Sequence, residues 1–493
     1  MTQTEPEHDP SEQTFDVVVL GAGAVGENVA DRAGRRGLSV AVVESELVGG
    51  ECSYWACMPS KALLRSGSVL AAARAVPGAA EAVTGGVAAR AVLARRDTMA
   101  ADWDDSGQVK WLDGAGIELL RGAARFTGPR RLEVRDAGTG AATTVVARHA
   151  VVVATGSEPV LPDLPGLATA RPWTSREATS ADRVPGSLAI IGGGVVAAEM
   201  ATAYTDLGSR VTVLVRGARL LAGLEPFVGE AVTSALVDAG ADLRLGVQVE
   251  RVERDASGVR LHLSTGDVVV ADEVLVATGR RPRTADLGLD AVGLEPGSRL
   301  EVDDRMQVTA VDGGWLYAAG DVTGRVATTH QGKYDARVAG DVVAARFSAD
   351  GGGEHWGGPV EAAEPWSRYR ATADHEAVPQ VVFTRPEVAT VGLTEDAARD
   401  AGYPVRVVRY DIGSVAGAAI AADGYQGTAA IVVDTEREVV LGATFVGPDV
   451  AEMLHSATIA VVGQVPLSRL WHAVPAYPTV SEVWLRLLEG YGL

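Results

Sequence analysis

The chain has 493 residues, 47% of them hydrophobic, with 44 Lys+Arg against 64 Asp+Glu for a formal net charge of −20. This composition suits a folded globular protein of about three domains, and the sign of its charge disfavours nucleic acid and anionic membrane surfaces as partners. No uncharged apolar run approaches the ~18 residues of a membrane span, and the opening MTQTEPEHDPSEQT is acidic and polar where a signal sequence is basic and then apolar, so residues 1–14 are expected to be a disordered leader on a cytoplasmic protein.

The run FDVVVL at 15–20 is β-branched and has the length of a strand buried on both faces of a parallel sheet. It leads directly into Gly21-Ala-Gly23-Ala-Val-Gly26, then a helical stretch at 27–36, a stop at Gly37 and an apolar strand at 39–43 that ends on Glu44. This order describes a dinucleotide-binding unit. The glycines let the backbone approach a pyrophosphate at the positive end of the helix, and Glu44 is placed to accept hydrogen bonds from ribose hydroxyls. The same unit recurs at 187–215, with Gly192-Gly-Gly194-Val-Val-Ala as its turn, and its second strand leads into Arg216 with Arg219 close behind. Two units imply two dinucleotides. Arginine in place of the acid suits a 2′-phosphate, which favours NADPH and leaves NADH open.

The strand endings VVVATG at 151–156 and VLVATG at 274–279 read as internal repetition of one domain type. After Leu316-Tyr-Ala-Ala-Gly320-Asp321 a helix is expected at 331–347, and the Gly-, Pro- and Trp-rich stretch at 348–372 reads as a linker. From Val378 the pattern becomes α+β, with strands expected at 380–383, 405–410, 429–434 and 439–445 and helices at 395–401, 449–462 and 481–488.

The chain has two cysteines, Cys52 and Cys57. A disulfide closing so small a loop would stabilise the fold by only ~2 kcal/mol on the chain-entropy model, against ~4.7 for a loop of about 100 residues. Zinc would need two further ligands, and the eight His are scattered with no paired spacing nearby. No metal site is expected, and a redox pair is the favoured reading. Pro59 suits an early helical position, which puts Cys57 near a helix N-terminus, where the dipole lowers a thiol pKa.

The stretch GGECSYWACMPSKALL at 49–64 resembles the redox-active segment of the flavin-dependent pyridine nucleotide-disulfide oxidoreductases, whose members include dihydrolipoamide dehydrogenase, glutathione reductase and mercuric reductase. The resemblance runs along essentially the whole chain, through Thr155-Gly156, Gly279-Arg280-Arg281-Pro282, Ala319-Gly320-Asp321 and Phe383-Thr-Arg-Pro-Glu387. It implies an α/β protein with two Rossmann-like dinucleotide-binding domains and a C-terminal α+β dimerisation domain. FAD would be held by 15–165 with 285–350, NAD(P) by 166–284, and the dimer by 378–493 after a linker at 351–377. By the same resemblance Cys57 is the flavin-side thiol and Cys52 the interchange thiol. Lys61 lies near the flavin N5 with Glu199 as its partner, a pairing that spares a buried lysine. Asp321 would bind the ribityl chain, and Thr328, Thr329 and His330 would begin a helix aimed at the flavin N1/O2 edge, His330 acting through its backbone. Gly50, Thr155, Gly156, Gly279, Arg280 and Gly320 fall in the cofactor-binding stretches.

One motif departs. Disulfide reductases of this kind carry His-Pro-Thr-x-x-Glu near the C-terminus, contributed to the partner subunit's site, and here the residues are Tyr477-Pro-Thr-Val-Ser-Glu482. A phenol, with a pKa of ~10, cannot hold a thiolate–imidazolium pair at neutral pH. Tyr477, Glu482 and His472, five residues earlier, are the candidates in that loop. Tyrosine at this position is similar to mercuric reductases and soluble transhydrogenases, yet the chain ends LEGYGL without the mercuric reductases' cysteine pair and keeps both redox cysteines, unlike the transhydrogenases. The expected activity is a homodimeric NAD(P)H-dependent FAD oxidoreductase that reduces a disulfide or other small acceptor through Cys52–Cys57. The alternative reduces a quinone, metal ion or second nicotinamide without the dithiol.

Overall fold

The computed structural model describes residues 12–348 and 359–493, which gather into two compact units. One unit comprises the described residues up to Cys57 with Ala100–Glu158 and Arg280–Asp374, and the other comprises Met58–Met99, Pro159–Gly279 and His375–Leu493.

In the first unit a seven-stranded sheet has the order Glu118–Arg121, Val40–Glu44, Glu12–Leu20, Ala142–Val153, Arg131–Arg135, Ala123–Gly128, with Leu316–Ala318 also pairing with Ala142–Val153. Val17–Leu20 and Val40–Val43 are buried because helices cover one face of the sheet and an apolar cluster covers the other. The first strand starts three residues earlier than expected. Glu12, Gln13 and Thr14 pair with Thr144, Val145 and Val146, because the long neighbouring strand offers them free ladder positions, and they therefore do not belong to a disordered leader. Residues 1–11 of that leader lie outside the described residues.

The helices Ala24–Gly34 and Thr329–Phe347 pack closely through Ala30, Ala33, Ala336, Ala339 and Gly340; a Cβ on Gly340 would stand 2.4 Å from the Cβ of Arg32. The described part of the expected linker is not a free connector. Val360, Ala363, Tyr369 and Ala371 are buried in the same core as the Ala24–Gly34 helix. Residues 349–358 are outside the described residues.

In the second unit a parallel sheet runs Asp242–Leu245, Arg210–Val215, Ser187–Ile191, Glu273–Val276. It carries a three-stranded antiparallel sheet, Val249–Asp255, Gly258–Leu263 and Val268–Ala271, on a core of Leu261, Leu263, Val274 and Val276. The C-terminal sheet is antiparallel, in the order Pro379–Val382, Glu387–Gly392, Val439–Gly447, Thr428–Asp434, Val405–Asp411. Its strand Glu387–Gly392, absent from the sequence reading, pairs along its length with Val439–Gly447. Val382, Val388 and Val446 share one cluster with Ala197 and Tyr204 of the nucleotide fold and with Leu63, Leu64, Val92 and Leu93 of the 58–99 segment. Arg96, almost wholly buried, fastens that segment by donating to the carbonyls of Thr179 and Ala181 at 2.5 and 2.7 Å. No helix of the described residues is long and apolar enough to cross a membrane.

Candidate active site

The glycine turn of the first unit is built for a close approach of something other than a side chain. Gly21 has φ +94° and a Cβ there would meet the Ala154 carbonyl at 2.6 Å, while a Cβ on Gly26 would stand 1.8 Å from the Gly21 carbonyl oxygen. Gly23 caps the following helix with no side-chain bond, so the first-turn N–H groups face outward. A second short helix, Gly50–Tyr54, begins beside it, with Gly49 N–H donating to the Ala22 carbonyl at 2.8 Å and Gly23 bridging to Gly49. Glu44 is buried and held in place by the N–H groups of Ala22 and Glu46 at 2.7 and 2.8 Å, leaving lone pairs for hydroxyl donors. Bare helix ends for a pyrophosphate and a fixed carboxylate for a ribose fit a dinucleotide.

At the same C-terminal end of this sheet's parallel strands, Ser157 Oγ donates to Asp321 Oδ2 at 2.5 Å, and Arg280 donates from Nε to Ser157 Oγ at 2.8 Å and from Nη2 to the Ser157 carbonyl at 2.7 Å. Thr155 Oγ1 donates to the Arg283 carbonyl at 2.8 Å. Gly156 and Gly320 both take positive φ, which a side chain would strain. Ser157 was missed by sequence reasoning, because nothing in a serine after Thr-Gly signals an aspartate 164 residues away.

Cys57 opens the helix Cys57–Arg74, and its Sγ lies 3.2 Å from Oγ1 of Thr329, the first residue of the helix Thr329–Phe347. The sulfur thus sits at two helix N-termini, where negative charge is favoured. Cys52 and Cys57 are not joined by a disulfide. A hydrogen bond to Cys57, burial and the charge of Cys57 push the Cys52 thiol up, against smaller opposing effects of Thr329 and Lys333. The pair is therefore asymmetric: Cys52 is the sulfur that holds its proton, and Cys57 is the one placed where two helix ends favour negative charge.

In the second unit Lys61, one turn along the cysteine helix, donates to Glu199 Oε2 at 2.8 Å. Glu199 has 4% of its side chain exposed, Lys61 35%, and the second carboxylate oxygen accepts the Phe383 N–H at 3.0 Å. The Lys61 ammonium also lies 4.9 Å from the centroid of the Phe383 ring, a contact between residues more than 300 positions apart that has no local sequence signal. Glu199 stands on the helix Val195–Asp206, whose N-cap is Gly194 without a side-chain bond. Gly192 (φ +137°) approaches the Ala277 carbonyl so closely that a Cβ would be 2.2 Å from it. This second turn fits a nucleotide for the same reason as the first. Arg216 is exposed beyond the strand, and Arg219 donates to the Ala222 carbonyl at 2.9 Å. Gly279 has φ +146°. Thr328 Oγ1 and His330 Nε2 are 3.3 Å apart at the start of the Thr329 helix.

The C-terminal candidates do not form a dyad within the chain. Tyr477 is 77% exposed and His472 is exposed, while Glu482 is buried and accepts from Arg486 Nη2 at 2.6 Å. The other Glu482 oxygen has no hydrogen-bond partner among the described residues.

The family model described as pyridine nucleotide-disulphide oxidoreductase matches residues 15–336, and the dimerisation domain of the same family matches residues 378–487. The chain is 32% identical over 487 residues to dihydrolipoyl dehydrogenase of Thermus scotoductus, covering 97% of each protein. It is 29% identical over 492 residues to mercuric reductase of Staphylococcus aureus, covering 97% of this chain and 84% of that one. Among solved structures, the Cu(II) complex of the HOCl-induced flavoprotein disulfide reductase RclA from Escherichia coli superposes with a TM-score of 0.81 at 25% identity, covering 97% of this chain and 99% of that one. Both the nucleotide folds and the C-terminal sheet therefore have counterparts throughout these relatives. The chain belongs to the class I pyridine nucleotide-disulphide oxidoreductases, flavoproteins that transfer electrons from a pyridine nucleotide through FAD and a redox disulfide to an acceptor.

Proposed function

We propose that this enzyme reduces a small disulfide or similar acceptor with electrons from NADPH, using Cys52 and Cys57 as its redox pair, FAD in the first unit and a homodimer as its working form. The observation that carries the reading is the asymmetric sulfur pair, Cys57 at two helix N-termini and Cys52 protonated beside it. FAD, when bound, supplies the two-electron exchange that links nicotinamide to a disulfide. Gly21, Gly23, Gly26, Gly50 and Glu44 would hold its nucleotide half, and Asp321, oriented by Ser157 and Arg280, its ribityl chain. Thr329, whose hydroxyl lies 3.2 Å from the Cys57 sulfur, and the helix end it opens favour negative charge on that sulfur. Cys52 is then the sulfur that exchanges with the acceptor, after losing its proton. Lys61, held by Glu199, provides a fixed positive charge near the redox centre. Arg216 and Arg219, with no acid at the end of the second unit's strand, favour NADPH over NADH.

A second reading is favoured by one observation: Glu482 is engaged by Arg486, and Tyr477 supplies no imidazole. Without that proton shuttle the dithiol step is slow, and an acceptor that takes electrons without thiol exchange, such as a quinone, metal ion or second nicotinamide, becomes the substrate. Cys52→Ser decides between them. Loss of NADPH-driven reduction of disulfides, with nicotinamide-dependent bleaching of the flavin retained, supports the dithiol route. Unchanged turnover with every acceptor supports the second reading.

A further inference from the structure

The C-terminal end of the helix Ala24–Gly34, the far end from its glycine turn, opens into a pocket of about 70 Å³ lined by Arg32, Arg35, Arg36, Arg368, Asp341 and Tyr369, with Ala344 at its wall. A cavity of 10–15 Å³ on such a measure holds one water, so this one admits a small oxyanion. Among the described residues the lining holds four arginines to one aspartate, on a chain whose net charge is −20. Cations at a helix C-terminus need no ligand to explain them. The tyrosine does. Tyr369 is 1% exposed, its ring is part of the surrounding apolar core, and its hydroxyl has no hydrogen-bond partner among the described residues. A phenol buried in this way forfeits a bond that a ligand in the pocket would restore.

The arrangement is also braced. Asp341 accepts from Arg368 Nε at 3.0 Å and from Arg368 Nη2 at 2.9 Å, and lies 3.4 Å from Arg32 Nη1, so two guanidiniums are oriented by one carboxylate. Arg35 is tied to Asp31 at 2.6 Å at the rim. Planar guanidinium forks and a hydroxyl donor match the oxygens of a phosphate group, whose charge exceeds that of a carboxylate.

We infer that this pocket is a phosphate-binding site, separate from both dinucleotide cradles, for inorganic phosphate or the phosphate of a small phosphomonoester. The eleven-residue helix separates it from the Gly21–Gly26 turn by about 16 Å, so its occupant does not compete with the nucleotide there.

The test uses the FAD-loaded enzyme and calorimetric titration with inorganic phosphate, with chloride at matched ionic strength as the blank. A saturable site is expected, weakened about tenfold in both Arg368→Gln and Tyr369→Phe and unchanged in Arg216→Ser, which controls for binding at the 2′-phosphate position of the second unit. Tyr369→Phe keeps the ring in the core and carries the test if Arg368→Gln does not fold. A glycerol monophosphate titration separates the two sources, since tighter binding than inorganic phosphate assigns the site to an ester and weaker binding assigns it to the free ion. Absence of saturable binding, equal affinity in Tyr369→Phe, or loss of the site in Arg216→Ser overturns the inference.

Discussion

Replacing Lys61 by methionine removes the ammonium and leaves the Glu199 carboxylate, with 4% of its side chain exposed, holding only the Phe383 N–H. Breaking a buried ion pair from one side costs about 3–5 kcal/mol. Lys61 is 35% exposed, so water replaces part of what the carboxylate loses, and we discount the figure to about 2 kcal/mol. Glu199→Gln removes the buried charge and keeps an acceptor for Phe383, at a cost of about 1 kcal/mol. In the double variant no charge is left stranded, so the two losses do not add. The coupling should be about 1–2 kcal/mol, read from the apparent unfolding free energy in urea for the four proteins saturated with FAD. Additivity within about 0.5 kcal/mol would refute the claim that the pair acts as a unit.

Gly26→Ala places a methyl carbon 1.8 Å from the Gly21 carbonyl oxygen, backbone that has no room to yield, so the variant should purify largely without FAD; a flavin-to-protein absorbance ratio equal to the wild type contradicts the cradle. Asp335 is fully buried, accepts the Gly320 N–H at 3.3 Å, and is pushed up to about 8 by burial and then by the Asp374 carboxylate, itself bonded to Gln331 at 2.6 Å and facing Arg325 at 3.3 Å. The folded state thus holds a proton that the unfolded chain releases in the ordinary carboxylate range, and stability falls as pH rises from there through about 8. Thermal midpoints measured across that interval should drop in the wild type and flatten in Asp335→Asn; an unchanged slope in the variant assigns the dependence elsewhere.

Both glycine turns were legible because their signal is local: a strand, a turn that excludes Cβ atoms and a helix follow one another within a few tens of residues. The cysteine pair was legible for the same reason. Partners distant in the chain were not. Lys61 and Glu199 are 138 residues apart, and only the family resemblance joined them; Cys57 and Thr329 are 272 apart, and their contact had no sequence signal. Glu12–Thr14 lack an apolar pattern, and what draws them into the sheet is the length of the neighbouring strand. The segment at 359–374 looked like a connector because the Gly-rich run just before it in sequence, with Pro359 and Pro365, masked four apolar anchors, Val360, Ala363, Tyr369 and Ala371. In the C-terminal domain the expected helix at 449–462 divides into a 3₁₀ turn, Val450–Met453, and the helix Leu454–Val462, a break that hydrophobic spacing does not reveal.

The most direct test of the account is an anaerobic two-electron titration of the FAD-loaded enzyme with NADPH, followed by absorbance. A thiolate on Cys57 against the flavin predicts a long-wavelength charge-transfer band that grows in on two-electron reduction of the wild type, is absent in Cys57→Ser, and in Cys52→Ser is present before NADPH is added and is lost as the flavin itself takes up the two electrons. A wild-type enzyme that bleaches without the band, or a band that survives Cys57→Ser, would show that these sulfurs do not work beside the flavin.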